Sequence, residues 1–211
     1  MITTYHTVWF DNETGPHMKK LTKEAWFEQG FTILKAGGAA DLTIENLTRK
    51  LHITKGSFYH HFKSRDDYFE KLLLFWEEKQ TFDILEISRQ KKTFKEINAT
   101  LLRLSKENMD PEIEVAVRAW ALRDPLARTF QERIDSQRMG FLRSMFSLMT
   151  DDPALVEMIS LIRYCLYIGS HQLIPPMDET TYRNNLDALM EMFETYVELN
   201  RSENTQCGAP Q

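Results

Sequence analysis

The stretch that decides the fold of this chain runs from Leu42 to Arg65 and reads LTIENLTRKLHITKGSFYHHFKSR. Thr43 is a good N-cap residue, because its hydroxyl can accept a hydrogen bond from a free N–H of the first helical turn. Three apolar side chains follow at the i, i+3, i+7 spacing that places them on one face of a helix: Ile44, Leu47 and Leu51. The pattern predicts a short amphipathic helix over about 44–51.

The same stretch predicts a tight turn followed by a second helix. His52 interrupts the helical spacing, and Thr54 is placed to cap a helix that begins at residue 55. Phe58 and Phe62 stand four residues apart and can both face inward. The remaining side chains form a face rich in donors and aromatic rings, with no acid: Lys55, Ser57, Tyr59, His60, His61 and Lys63. Such a face suits a polyanion, and the arrangement predicts a DNA-binding helix-turn-helix over about 42–61.

Over residues 43–65 the run T-x-x-x-L-x-x-x-L-x-I-T-K-G-S-F-Y-H-H-F-K-S-R resembles the signature of the tetracycline-repressor (TetR) family of bacterial transcription regulators. The resemblance implies an all-α protein, with an N-terminal three-helix helix-turn-helix domain joined by a long helix to a C-terminal helical ligand-binding and dimerisation domain. His52 departs from the pattern, since the family commonly has Gly there, but His tolerates a left-handed backbone better than most residues. An ordinary helical hairpin with a solvated polar face is the alternative.

Two kinds of DNA contact are expected from this stretch. Base contacts are expected from four side chains: Lys55, Ser57, Tyr59 and His60. Lysine can reach guanine O6 and N7, and aromatic edges can touch thymine methyl groups. Phosphate contacts are expected from the helix N-termini at Thr43 and Thr54 and from the side chains of Arg49, Tyr59, His61, Lys63 and Arg65. Gly56 lies in the same run and completes the predicted DNA-binding set.

Charge separates the two ends of the chain. Residues 19–66 carry nine basic and five acidic residues, although the whole chain of 211 residues has a net charge of −5. A basic head on an acidic body is compatible with DNA binding, because phosphate affinity depends on the contacting face. We therefore expect a DNA-binding domain over 19–79, an effector-binding and dimerisation domain over 80–200, and a flexible tail over 201–211. Residues 1–18 are an N-terminal extension in which GPHM resembles the remnant of a cleaved tag, and no fold is predicted for them.

Helix signals continue on both sides of the helix-turn-helix. Thr22 can cap a first helix that ends around Gly37. Ser64, with Asp67 three residues later, resembles a capping box at the start of one long helix that runs toward about Gln90. Three Asp-Pro pairs each place a capping acid before a first-turn proline: Asp110-Pro111, Asp124-Pro125 and Asp152-Pro153. The body is therefore predicted to be helical throughout.

The last two predicted helices carry more apolar surface than one neighbour can cover. The segment 153–173 is apolar on most of its circumference, and the next helix continues with a stripe of Tyr182, Leu186, Leu189, Met190, Phe193 and Val197. The resemblance implies a homodimer in which these helices form a four-helix bundle with their symmetry mates. A fully intramolecular core is the alternative. Two-fold symmetry would place the recognition helices on half-sites about 34–36 Å apart in a near-palindromic operator.

The resemblance also implies a small-molecule effector that binds between the middle helices and lowers DNA affinity. Four residues are candidates to line its cavity: Trp120, Tyr164, Tyr167 and His171. The last three recur at i, i+3, i+7 and combine apolar bodies with polar tips, although a core or dimer-interface role is the alternative. Three arginines can be salt-bridged surface groups or anchors for an anionic ligand: Arg118, Arg123 and Arg163.

Several classes of protein are disfavoured. The sequence contains no G-x-S-x-G, no phosphate-binding glycine loop, no H-E-x-x-H and no metal ligands at workable spacing, so no enzyme, cofactor or metal is predicted. Two cysteines and the lack of a long apolar run favour a reduced cytoplasm, without export or a membrane anchor. We predict a ligand-responsive repressor, because most of the resembling family are repressors. A helical protein-interaction adaptor without DNA binding is the alternative function.

Overall fold

The computed structural model describes residues 21–207, and this part of the chain contains helices and no strand. The N-terminal head consists of α1 (Lys23–Gly37), α2 (Ile44–Lys50), α3 (Lys55–His61) and α4 (Arg65–Glu77). A short 3-10 turn, Ala39–Asp41, precedes α2. The predicted N-caps are confirmed, because each side chain accepts a hydrogen bond from its own first turn: Thr22, Thr43, Thr54 and Ser64. The prediction for residues 1–18 lies outside the described residues.

An aromatic core holds the four head helices together. Trp26 makes edge contacts with Phe58 and Phe62, with ring centroids 5.5 and 5.8 Å apart, and all three side chains are buried. Tyr68 is also fully buried, and its hydroxyl donates to the carbonyl of Trp26 at 2.9 Å. Gly30 allows this approach, because an added Cβ would lie 2.0 Å from the Tyr68 hydroxyl. The inward placement predicted for Phe58 and Phe62 is confirmed.

The long helix predicted from Ser64 toward Gln90 is present, but it contains a π segment that the sequence did not suggest. Helix α4 passes through Glu78–Phe82 in π conformation into α5 (Asp83–Arg89) without a break. Arg138 contacts this segment twice, since its Nη2 donates to the carbonyl of Gln80 at 3.2 Å and its Nε donates to Thr81 Oγ1 at 3.1 Å. Single π turns inside α-helices occur frequently at functional sites.

The body contains α6 (Phe94–Asn108), α7 (Pro111–Ala121), α8 (Pro125–Phe146), α9 (Pro153–Gln172) and α10 (Glu179–Cys207). Asp110, Asp124 and Asp152 cap α7, α8 and α9, as their Asp-Pro pairs predicted. The buried residues form two clusters, and the head cluster extends into α7 and the first half of α8 through Val117, Trp120, Phe130 and Ile134. The second cluster joins α5, α6 and the end of α8 to α9 and α10. Of the helices that the structure describes, each is too short or too polar to cross a membrane.

Candidate nucleic-acid interface and ligand cavity

The turn between α2 and α3 has the hydrogen bonds of a Schellman motif. The N–H of Ile53 donates to the carbonyl of Thr48 at 3.0 Å, and the N–H of His52 donates to the carbonyl of Arg49 at 3.3 Å. His52 has a φ of 55°, in the left-handed region that Gly usually occupies at this position. The left-handed backbone expected in this turn is therefore present, although a His must adopt it.

Helix α3 turns its predicted contact residues outward. Because Phe58 and Phe62 are buried, the opposite side of the helix faces solvent. Tyr59 is 57% exposed, and its ring stands edge-on to Phe58 with 5.4 Å between centroids. We call the exposed residues Lys55, Gly56, Tyr59, His60 and Lys63 the recognition face. Among the other predicted residues, Arg49, Thr54 and Arg65 are exposed, and Thr43, Ser57 and His61 are half-buried.

The fold brings an acid to the recognition face that the sequence of α3 does not contain. The Lys55 ammonium forms an ion pair with Glu45 of α2, across the turn. The hydrogen bond from Lys55 lowers the pKa of Glu45, and the same bond raises the pKa of Lys55. Both side chains are more than half exposed, so water screens the pair. One predicted base contact is therefore engaged within the protein in the absence of DNA.

The remaining cations near this surface have weaker partners. Arg49 Nη2 donates to Asn46 Oδ1 at 2.7 Å, and the Arg65 guanidinium lies 4.6 Å from the centroid of the Phe69 ring. The Lys63 backbone N–H donates to Asp67 Oδ2 at 2.8 Å, while its side chain is exposed. None of these three side chains forms an ion pair with a buried carboxylate among the described residues. They can turn toward phosphates at little cost in lost protein contacts.

The body contains a cavity of about 630 Å³ between α5, α6, α8, α9, α10 and the first turn of α7. Tyr164, Tyr167 and His171 line it, so the i, i+3, i+7 face of α9 points where the cavity hypothesis placed it. Trp120 does not line this cavity, which corrects that part of the prediction. Its ring is buried in the head cluster, edge-on to Phe69 of α4 at 4.9 Å, because α7 packs against α1 in the head. No group of residues suited to a metal ion occurs among those described.

A paired ionic network lies beside the cavity and contributes Arg138 and Tyr164 to its wall. Glu114 is buried and accepts from Arg138 Nη1 at 3.0 Å and from Arg118 Nε at 2.8 Å. Arg118 also makes two hydrogen bonds to Asp135, which accepts a further one from the Tyr164 hydroxyl at 2.7 Å. Burial opposes the charges on Arg118 and Arg138, but their carboxylate partners outweigh it and raise both pKa values. Each of these two arginines is therefore held in its charged form by the protein itself.

The sequence did not decide whether three arginines form surface salt bridges or anchor an anionic ligand, and each of the three has a different environment in the structure. Arg118 belongs to the paired network and Arg123 is exposed. Arg163 is 4% exposed and lines the cavity, with no acidic partner among the residues the structure describes. Sequence reasoning did not single out Arg138, although a signal was present. Arg138 lies on the apolar stripe of α8, four residues after Ile134 and three before Phe141, where a charge needs a buried partner.

Comparison with known proteins shows a family model and a solved structure that resemble this chain. Residues 27–72 match the model of a family described as bacterial regulatory proteins, tetR family, which confirms the resemblance carried by the helix-turn-helix sequence. A solved structure of a transcriptional regulator (TerR/AcrR family) from Aquifex aeolicus VF5 is similar over 84% of this chain and 98% of that chain. Its TM-score is 0.57 and its sequence identity 18%, so this likeness shows a shared all-α fold. No curated protein matches the chain.

Proposed function

We propose that this chain, whose residues 27–72 are those of a TetR-family DNA-binding domain, is a sequence-specific transcriptional repressor. The observation that carries the proposal is the recognition face, whose donors and aromatic rings are exposed on the second helix of a helix-turn-helix. Such helices present side chains to base edges in the major groove. The role is regulatory rather than catalytic, and binding to bacterial DNA would place the protein in the cytoplasm.

The proposed regulator works as a homodimer. Several large apolar side chains on α9 and α10 are exposed in the single chain: Met158, Leu161, Ile162, Met192, Tyr196 and Leu199. Their spacing along each helix forms a face of the kind that a second copy covers in a four-helix bundle. A two-fold arrangement gives each operator two half-sites, so the proposed operator is a near-palindrome.

Dimerisation can be tested on this face directly. We expect Ile162→Glu to convert a dimer into a monomer, because it would bury a charge in an apolar interface. The matched control is Leu122→Glu, which changes an exposed leucine at the end of α7, away from that face. Light scattering coupled to size-exclusion chromatography measures the mass. A monomeric parent, or a dimeric Ile162→Glu protein, would contradict the proposed interface.

The proposed effector site is the cavity lined by Tyr164, Tyr167 and His171. The cavity also touches Gln80 and Thr81 of the π segment, which continues directly into α4 of the head. A ligand there could change DNA affinity only by binding more tightly to one arrangement of the heads than to the other. The short path from cavity wall to α4 supports this coupling.

A gel shift on DNA flanking the coding sequence, titrated against random competitor, tests DNA recognition. We expect a specific complex that the double variant Tyr59→Ala, Lys63→Ala abolishes while the dimer persists. The matched control is Lys91→Ala, Lys92→Ala, which removes exposed lysines from the body side of the chain. Unchanged biological function in the Tyr59, Lys63 variant would instead support the adaptor alternative.

A further inference from the structure

Arg163 is a buried cation whose guanidinium makes no hydrogen bond to the described part of the protein. Its Nη1 is fully buried and without a partner, and its guanidinium carbon lies 5.8 Å from the centroid of the Phe146 ring. The ring face gives a partial attraction but accepts none of the five N–H donors. An unpaired buried charge is strongly unfavourable. An unpaired buried charge in a cavity wall therefore indicates a function that offsets its cost.

The charge is present at neutral pH. Burial lowers the pKa of Arg163 to about 10, and this value still leaves the guanidinium protonated in the cell. Buried Arg138 and half-buried Arg118 do not share this condition, since they are matched by Glu114 and Asp135. The inner part of the cavity therefore carries one uncompensated positive charge.

The charged residues at the exposed end of the cavity form two clusters, each of which shares one oppositely charged group between two residues. Lys106 and Arg183 both bind Glu179, at 2.6 and 3.3 Å. Asp110 and Glu112 both face Lys35, at 2.8 and 3.5 Å. These groups are partly or fully exposed, so solvent screens them. The first cluster has one excess positive charge and the second one excess negative charge, so together they carry no net charge that would cancel that of Arg163.

We propose that the cavity binds an amphipathic organic monoanion, with its carboxylate on Arg163 and its apolar body against the wall. This inference rests on the proposed function, because it names the chemical class of the effector. The guanidinium fork matches a carboxylate in bidentate geometry, and the pairing is strengthened by the low-dielectric surroundings. The apolar part of the wall is formed by Ile84, Leu85, Leu101, Leu102, Phe141 and Leu186.

The size of the cavity fits this class. Small-molecule sites usually measure about 300–1,000 Å³ and combine an apolar lining with a few polar groups that fix orientation. At about 630 Å³ the cavity holds a chain or ring system of moderate size with one anionic head. A dianion would leave one charge without a buried partner, which disfavours phosphate esters.

Calorimetric titration of the full chain with dodecanoate, dodecanol and dodecylamine tests the proposal. We expect dodecanoate to bind at least about tenfold more tightly than the alcohol or the amine, since a charge-assisted hydrogen bond is lost in both. In Arg163→Met we expect this preference to disappear. The matched control is Arg143→Met, which removes an exposed arginine paired with Glu157 outside the cavity and should leave the preference intact.

A second readout separates a ligand role from a structural one. Arg163→Met should raise the melting temperature of the free protein, because an apolar side chain replaces an unpaired buried charge. A purely structural arginine would give a fall instead. Arg163→Lys keeps the positive charge but loses the bidentate guanidinium. It should leave the rest of the cavity wall unchanged and retain a weaker preference for the carboxylate.

Three results would overturn the proposal. They are equal binding of the three dodecyl compounds, retained carboxylate preference in Arg163→Met, and failure of both dodecanoate and the aromatic probe indole-3-acetate to bind. A gel shift run in parallel keeps the two proposals apart. Carboxylate binding through Arg163 that leaves DNA affinity unchanged would support the anion site and contradict its effector role. Carboxylate binding by a protein that binds no DNA would contradict only the proposed regulator.

Discussion

The recognition face and the cavity both offer positive charge to an anion, but they do so in opposite surroundings. Lys55 and Lys63 are exposed, so water stabilises them when no ligand is present. Arg163 is buried without a hydrogen-bonding partner, so it is costly until a ligand arrives. Exposed cations suit a polymer that supplies many weak contacts, and a buried one suits a small ligand that supplies a single strong contact. Burial, more than residue type, distinguishes the two proposed anion sites.

The largest effect is expected from creating a second unpaired buried cation, which tests whether burial makes an unpaired charge costly. Glu114→Gln removes the buried carboxylate shared by Arg118 and Arg138. We expect it to lower the free energy of unfolding by about 3–5 kcal/mol, since removing one partner of a buried pair leaves the other uncompensated. Chemical denaturation measures the change. The matched control Glu157→Gln breaks an exposed pair with Arg143 and should have no measurable effect; equal losses in both variants would contradict the contrast.

Salt sharpens the comparison without any mutation. Several phosphate contacts release counterions, each adding about 0.9 to the slope of log affinity against log salt. DNA affinity should therefore fall about 10³-fold between 50 and 200 mM salt if the dimer makes about six such contacts. Carboxylate binding at Arg163 should change far less, because buried pairs are poorly screened. Fluorescence anisotropy for DNA and calorimetry for dodecanoate give both slopes, and equal slopes would show that the two sites are not distinguished by burial.

The ion pair between Lys55 and Glu45 is the exception on the recognition face, and it can be removed. In Glu45→Gln, Lys55 loses its competing partner and a negative charge leaves the proposed DNA-facing surface. We expect DNA affinity to rise a few-fold and discrimination against random DNA to weaken. Competition gel shifts measure both quantities. The control Glu70→Gln changes an exposed acid of α4 and should leave them unaltered; weaker binding by Glu45→Gln would mean that the pair orders Lys55 for DNA.

The smallest effect concerns the turn that presents this face. His52 holds a left-handed conformation that costs a non-Gly residue about 1–2 kcal/mol. His52→Gly relieves this strain but increases the freedom of the unfolded chain, so a net stabilisation below about 1 kcal/mol is expected. Thermal unfolding followed by circular dichroism detects it. His52→Ala retains the Cβ and should give no stabilisation, and a gain there would argue against strain at this position.

Local signals made the head and the helix boundaries predictable from the sequence. Thr54 and Asp152 cap their helices through hydrogen bonds that span only two or three residues, so spacing along the chain was sufficient. Phe58 and Phe62 are buried because they share a helical face, which the sequence displays directly. The left-handed turn at His52 followed from its place in the resembling motif.

Contacts between distant segments were not predictable in the same way. Trp120 was expected near the cavity, but its partner Phe69 lies 51 positions earlier and is brought to it only by the packing of α7 on the head. The pairing of Lys55 with Glu45 likewise depends on the angle between two helices. The cavity itself is built from six helices and the π segment, and no one of these elements reveals the space between them. Arg163 was noticed as an arginine, but its lack of a partner required the fold.

The π segment between Glu78 and Phe82 has a geometric consequence for how the two sites are connected. From Tyr68 to Leu85 the buried residues recur as adjacent pairs every four positions along the helix. Four residues of an α-helix turn through roughly 400°, which is roughly 40° more than a full turn. In a regular α-helix each buried pair would therefore be displaced by roughly 40° around the helix from the pair before it. A π turn has more residues per turn than an α turn, so the segment offsets part of this drift of the buried pairs around the helix. The π segment thereby keeps the buried pairs of α4 and of α5 closer to one side of the helix, and ordinary α geometry at these five residues would rotate the side that α5 turns toward the cavity relative to α4.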